Sequence, residues 1–331
     1  MYKDNDFVYE AFSNLQELIK SEITIDSNRK PYDAVIQIND QTFYCIAKKN
    51  ARNSNLSIII NQINEFRNSI INNKNTLFVG EYIAKDVADS LIENKINYLD
   101  VAGNCYINTK DLKIIIEGKK HIKPKNVNQA RVFQEAGLKL ILLLITNKES
   151  LDFSYRALAD QSNIALGSVS QIMKELENNN YILKSKEKRI LKNIDELIER
   201  WFIAYNETLK PRLFRKAYKA INIEQLRLSV NNNKNNNIFF GGEPAAEKIT
   251  NYLKPLEYTI YSNEELTNLG KELKLIPDSN GNVKIYNTCW LESLSNNNNN
   301  LAPSLVVYAD LMGTNNSRNI EAAKMILENE L

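Results

Sequence analysis

At 331 residues the chain is long enough for two or three domains, and a formal net charge of +2 confines any surface for nucleic acid to local clusters of cations. Three cysteines, Cys45, Cys105 and Cys289, are too few and too odd in number for a disulfide framework. Together with the single His121 they show no metal-ligand spacing, which argues against a zinc site and for a reducing cytoplasm. The acidic, polar start (MYKDNDFVYE) reads as carrying no secretion signal, and the apolar run around Ile141–Ile145 is far too short to cross a bilayer. No cofactor is implied.

In chain order, the first segment alternates helices with strands. Phe7–Ile23 reads as an amphipathic helix with Phe12, Leu15, Leu18 and Ile19 on one face. Asp33–Ile38 and Thr42–Lys48 read as strands joined by the Asn39-Asp40 turn. A helix over Leu56–Ile71, a strand over Thr76–Val79 and a helix over Ala84–Asn94 follow. Ile96–Val101, Cys105–Asn108 and Leu112–Glu117 complete the strands. This is an α/β layer domain over residues 1–120. Its order resembles the restriction-endonuclease-like fold, in which an acid on one strand and an E-x-K on the next hold a metal that activates water. The resemblance implies Asp33 as the first acid and Lys48 or Lys49 as the lysine. The acid two places earlier is missing, because those positions are Ile46 and Ala47, so the chain is not expected to be an enzyme. The alternative, a metal-dependent nuclease with a variant site, would draw on Asp100 or Glu117. Asp100-Val-Ala-Gly-Asn104 reads first as a turn, with Gly103 or Asn104 at positive φ.

Lys119–Val132 is basic, contains Pro124 and reads as a linker; Lys119, Lys120, Lys123, Lys125 and Arg131 are available for phosphates. Residues 130–193 form the second domain. Ala136–Asn147 is apolar nearly all round and reads as a buried helix. Ser154 suits an N-cap. The next helix is broken near Asn163, and a second follows. In it Val169, Ile172, Met173 and Leu176 make one apolar stripe, while Gly167, Gln171, Lys174 and Asn178 lie opposite. Tyr181–Leu183 and Arg189–Leu191 read as a hairpin with Lys184, Lys186 and Lys188 towards its tip; residues 181–192 hold five cations against Glu187 alone. Helix, turn, helix and basic hairpin are the sequence form of a winged helix-turn-helix, whose second helix enters the major groove of double-stranded DNA. Gln171 suits a base contact, because its amide can pair bidentately with adenine. Ser168, Ser170 and Lys174 suit bases or phosphates, and Arg156 the backbone. Lys184, Lys186, Lys188 and Arg189 would track phosphates.

Residues 194–331 read as a helical connector and a second α/β domain. Ile194–Lys219 is a helical stretch broken near Pro211, with Trp201 in its apolar stripe. Asn231–Asn237 is a low-complexity loop. Ile238–Phe240 is a strand, Gly241-Gly242 a tight turn before a helix over Ala245–Leu253, Tyr258–Tyr261 a strand and Glu264–Leu273 a helix. Val283–Tyr286 and Ser304–Tyr308 read as strands, and a helix closes the chain from about Arg318 to Glu330.

Three runs, Tyr98–Ile107, Phe240–Ala246 and Val307–Leu311 with Arg318–Ala323, placed around a central winged helix, resemble the transcriptional regulators grouped with AbiEi antitoxins of type IV toxin–antitoxin systems. The resemblance implies a DNA-binding repressor, autoregulating its own operon, beside a nucleotidyltransferase-like toxin. A homodimer would engage two half-sites. In a further alternative the outer domains are an interaction module for the toxin.

Overall fold

The structure is a computed structural model that describes residues 6–26, 32–52, 55–69, 75–120, 131–184, 188–233, 237–295, 300–314 and 316–331. The architecture is mixed α/β, with three sheets among the described residues, and it separates into two compact units, Met1–Asn126 and Val127–Leu331.

The first unit is built on a seven-stranded sheet. Helix α1 (Asp6–Ile19) precedes β1 (Ile23–Asp26), β2 (Ala34–Ile38) and β3 (Gln41–Ala51). Helix α2 (Leu56–Ser69) leads to β4 (Asn75–Ile83), and α3 (Lys85–Glu93) to β5 (Asn97–Asp100), β6 (Cys105–Asn108) and β7 (Lys113–Ile116). The strands lie side by side in chain order. The β3–β4 and β4–β5 pairs are parallel and the rest antiparallel. Alternation along β4 explains the layers. Leu77 and Val79 join Phe12 and Leu15 of α1 on one face, while Phe78 joins Ile59, Ile63, Val87 and Leu91 of α2 and α3 on the other. Ile23 is not the end of a helix as the sequence suggested. Lys20 at φ +54° closes α1, and Ile23 pairs with Ile38 in the sheet.

The second unit begins with α4 (Glu135–Thr146), α5 (Tyr155–Ser162), α6 (Leu166–Asn178) and the two-stranded β8 (Ile182–Lys184) and β9 (Arg189–Leu191). Then come α7 (Ile194–Ala204), a π-helical turn over Tyr205–Leu209, α8 (Lys210–Leu213), β10 (Phe214–Ala220) and α9 (Ile223–Asn231). The rest is β11 (Phe239–Gly241), α10 (Gly242–Thr250), β12 (Tyr258–Tyr261), α11 (Leu266–Glu272), β13 (Leu275–Pro277), β14 (Val283–Tyr286), α12 (Ser304–Met312) and α13 (Ser317–Glu330). A five-stranded sheet runs in the order β11-β12-β14-β10-β13.

Two expectations fail here. Phe214–Ala220 is a strand, not helix: the helical run stops two residues after Pro211, and the segment pairs with both β14 and β13. Ser304–Tyr308 is helix, not strand. Every residue from Leu305 to Met312 is buried, so this stretch shows neither the helical nor the strand period.

Candidate nucleic-acid interface

Burial sets the orientation of α6. Val169, Ile172, Met173 and Leu176 are buried. Gly167, Ser170, Gln171, Lys174 and Asn178 are exposed, and Ser168 is half-buried at the edge. The supports are local. Ser154 caps α5 by accepting from the Ala157 amide at 3.2 Å. Asn163, at φ +50° and ψ +54°, ends α5 in the left-handed conformation that asparagine tolerates, and the chain turns directly into α6. Behind both lies α4, buried at Gly137, Leu138 and Leu140–Ile145.

Gly167 lies on the exposed face, and a methyl group there would meet nothing within 4 Å. Gly167→Ala should therefore raise stability, by about 0.5–1 kcal/mol, since alanine is the better helix former. If this face docks against a duplex, the same variant should bind DNA more weakly. Thermal unfolding and a binding titration on one preparation read the two opposite signs.

The hairpin's cations divide into two kinds. Lys184 and Lys188 are exposed; Lys186 falls outside the described residues. Arg189 turns inward. Its Nη1 donates to the carbonyls of Leu151 at 2.8 Å and Phe153 at 3.0 Å, and its guanidinium lies 5.1 Å from the Tyr155 ring centroid. It fastens the hairpin to the segment that enters α5. The hairpin's base is tied as well: the Tyr181 hydroxyl donates to Glu196 at 2.7 Å and accepts from Arg200 at 2.8 Å. Arg156 is exposed on α5.

Gln171 has a partner the sequence did not signal. Its Oε1 accepts from Nη1 of Arg131, in the short 3-10 turn Arg131–Phe133 before α4. Arg131, Gln134, Glu135, Ser168, Gln171 and Arg212 line a cleft of about 420 Å³ along this edge of α6.

A second cluster sits in the C-terminal half. The Gly242 amide, at the start of α10, donates to Asp310 Oδ2 at 3.0 Å, so an internal carboxylate occupies the place an external anion would take. Asp310 also accepts from the Tyr261 hydroxyl at 2.8 Å and pairs with Lys210 at 2.7 Å, while Tyr205 and Tyr261 share a hydrogen bond at 2.8 Å. The glycine pair follows from this crowding. A side chain at Gly241 would strike the Tyr261 ring and Asp310, and Gly242 has φ +47°. Arg318 pairs with Glu243 at 3.3 Å. Glu243 also accepts from the Leu256 amide and Asn319. The quoted runs Phe240–Ala246, Val307–Leu311 and Arg318–Ala323 thus meet in space as structural wiring.

Burial first, then the Asp310 carboxylate, holds the Tyr205 and Tyr261 phenols well above the ordinary 10.0. Above that value the unfolded chain releases protons that the folded chain keeps, so stability falls as pH rises. An alkaline titration should show part of the tyrosinate absorbance appearing together with loss of near-ultraviolet circular dichroism. Full tyrosinate absorbance in a chain that is still folded would contradict the wiring.

In the first unit two of the candidate acids are engaged by local hydrogen bonds. Asp33 accepts from the Ala47 amide at 2.7 Å. Asp100 is buried and accepts from the amide and the side chain of Asn104, both at 2.9 Å, with Gly103 at φ +87°. This is the turn read from the sequence. Glu117 is exposed beyond β7. Among the described residues no group of three or more His, Cys, Asp or Glu could hold a metal ion. Nor, among them, is any helix long and apolar enough to cross a membrane.

The elements from α4 to β9 thus present a polar helix face beside exposed lysines, on a mixed α/β chain. Residues 189–331 match the family model described as transcriptional regulator, AbiEi antitoxin, type IV toxin–antitoxin system. Over these residues the match agrees with the resemblance read from the sequence, while the Tyr98–Ile107 run lies outside it. It starts within β9 and takes in the whole Gly242–Asp310 cluster, leaving α4–α6 outside. No curated protein and no solved structure matches the chain.

Proposed function

We propose that this protein is a sequence-specific DNA-binding transcriptional regulator that acts in the cytoplasm as the autoregulating antitoxin of a type IV toxin–antitoxin system. The observation that carries the reading is the exposed polar face of α6, held outward by a buried stripe and flanked by the exposed Lys184 and Lys188. On this reading residues 130–193 are a winged helix-turn-helix with α6 in the major groove. Gln171 reads a base; Ser168, Ser170, Lys174 and Arg156 support it; and Lys184, Lys186 and Lys188 meet phosphates. Residues 1–120 are a restriction-endonuclease-like domain kept for its shape, not for catalysis. Residues 194–331, which lie within the family match, would face the partners: a nucleotidyltransferase-like toxin and a second copy of the chain. The family description supports the antitoxin role.

The test is a mobility shift with the duplex upstream of the protein's own coding sequence. The wild type should prefer it to a scrambled duplex. Gln171→Ala should lose roughly tenfold of that preference, within the range of one bidentate base contact. An unchanged preference in the variant would remove Gln171 from base reading.

A further inference from the structure

The cleft beside α6 has the chemistry of a phosphate site. Two guanidinium groups line it, Arg131 from the turn before α4 and Arg212 from α8. Planar guanidinium forks match phosphate oxygens better than lysine does. The start of α4 lines the same cleft through Gln134, Glu135 and Ala136, so the partial positive charge of that terminus lies beside it. One carboxylate is present, Glu135. It contacts Lys139 at 2.8 Å and Arg212 at 3.9 Å, so its charge is already balanced. Among the described residues Arg212 makes that long contact, and its side chain is 70% exposed, so it can turn onto an anion. The volume of about 420 Å³ is ample for a phosphate group.

The cleft also abuts the helix face assigned to base reading, since Ser168 and Gln171 line it. Arg131 belongs to both. One N–H of its guanidinium holds the carbonyl end of the Gln171 amide, and a guanidinium has five N–H groups. Arg131 can therefore grip a phosphate while it fixes which end of the amide turns outward.

We propose that the cleft between Arg131 and Arg212 binds a phosphate group of the DNA backbone, and that Arg131, so anchored, sets the orientation of Gln171. The inference rests on the DNA-binding reading above. It makes Arg131 a positioning residue for base recognition and Arg212 a phosphate contact only.

Arg131→Ala, Arg212→Ala and Arg212→Lys in the full chain separate these roles, since both arginines are exposed and their removal should leave the melting temperature unchanged. Affinity for the preferred duplex is measured across a salt series, with a scrambled duplex in parallel. Each alanine variant should flatten the slope of log affinity against log salt by about one. Arg212→Lys should restore the slope. Arg131→Ala should also lose roughly tenfold in preference for the correct sequence, whereas Arg212→Ala should keep it. A second arm titrates inorganic pyrophosphate into the protein without DNA. Pyrophosphate binding lost in both alanine variants, with duplex binding untouched, would keep the cleft and assign it a free phosphate compound. Wild-type slopes in both variants, together with no pyrophosphate binding, would overturn the proposal while leaving α6 as a DNA reader. Failure of the wild type to bind any duplex would instead strike the parent reading and leave the pyrophosphate arm to decide the cleft.

Discussion

Asp310→Ala should lower the stability of the second unit by about 3–5 kcal/mol, the range for removing one partner of a buried ion pair. Asp310 is 2% exposed and collects the Lys210 ammonium, the Tyr261 hydroxyl and the Gly242 amide on one carboxylate. Alanine leaves the Tyr261 hydroxyl and the Gly242 amide without their carboxylate in a dry site and strips the half-buried Lys210 ammonium of its counter-charge. Asp310→Asn keeps the shape and two acceptor lone pairs but discards the charge, so it should fall between wild type and alanine. Urea unfolding followed by far-ultraviolet circular dichroism measures both. An alanine variant within 1 kcal/mol of the wild type, roughly the net worth of one ordinary hydrogen bond, would mean that α10, α12 and the π-helical turn are held by something else.

Trp201→Ala should cost a similar amount, about 3–5 kcal/mol, for a different reason. Trp201 is fully buried, stacks on Tyr205 at 4.9 Å between ring centroids, and donates from Nε1 to the Leu138 carbonyl at 2.8 Å. It joins α7 to α4, the helix on which α5 and α6 rest. Truncation opens a large cavity and removes the Nε1 bond to Leu138, whose carbonyl keeps only its bond within α4. Trp201→Phe keeps most of the volume and loses only the N–H, so it should recover more than half of the loss. Because the defect lies under α4, duplex binding by Trp201→Ala should weaken at temperatures where the chain is still largely folded. Denaturant titration and binding on the same sample give the two numbers. Binding that survives intact would separate α4–α6 energetically from the rest of the unit.

What could be read from the sequence follows from periodicity and local chemistry. The α6 stripe was legible because four buried residues recur at helical spacing against a polar remainder. The caps at Ser154 and Asn163, and the Asp100–Asn104 turn, depend on contacts within a few residues and were legible for that reason. Helix α12 was not, since a segment buried on all sides carries no period. Strand β10 was hidden because its buried pair, Ala217 and Tyr218, is consecutive and the rest of the strand is polar or exposed. Helix α9 was overlooked although a signal existed: Asn222 accepts from the Gln225 amide, an N-cap three residues ahead of a glutamine. The candidate interface was half legible. Spacing put Gln171 on the polar face of α6 and Lys184 and Lys188 in the hairpin, but gave no sign of the Arg131 clasp 40 residues away. Nor did it show that Arg189 turns its charge onto backbone carbonyls. Contacts between distant segments leave no trace in spacing.

The most direct test of the DNA-reading account is fluorescence anisotropy of the full chain with the labelled upstream duplex, recorded over a range of salt, for wild type and for Lys184→Ala/Lys188→Ala. The account predicts binding that weakens steeply with salt, a slope flattened by about two in the double variant, and preference for the correct duplex retained. No binding by the wild type at low salt, or a double variant with the wild-type slope, would contradict it.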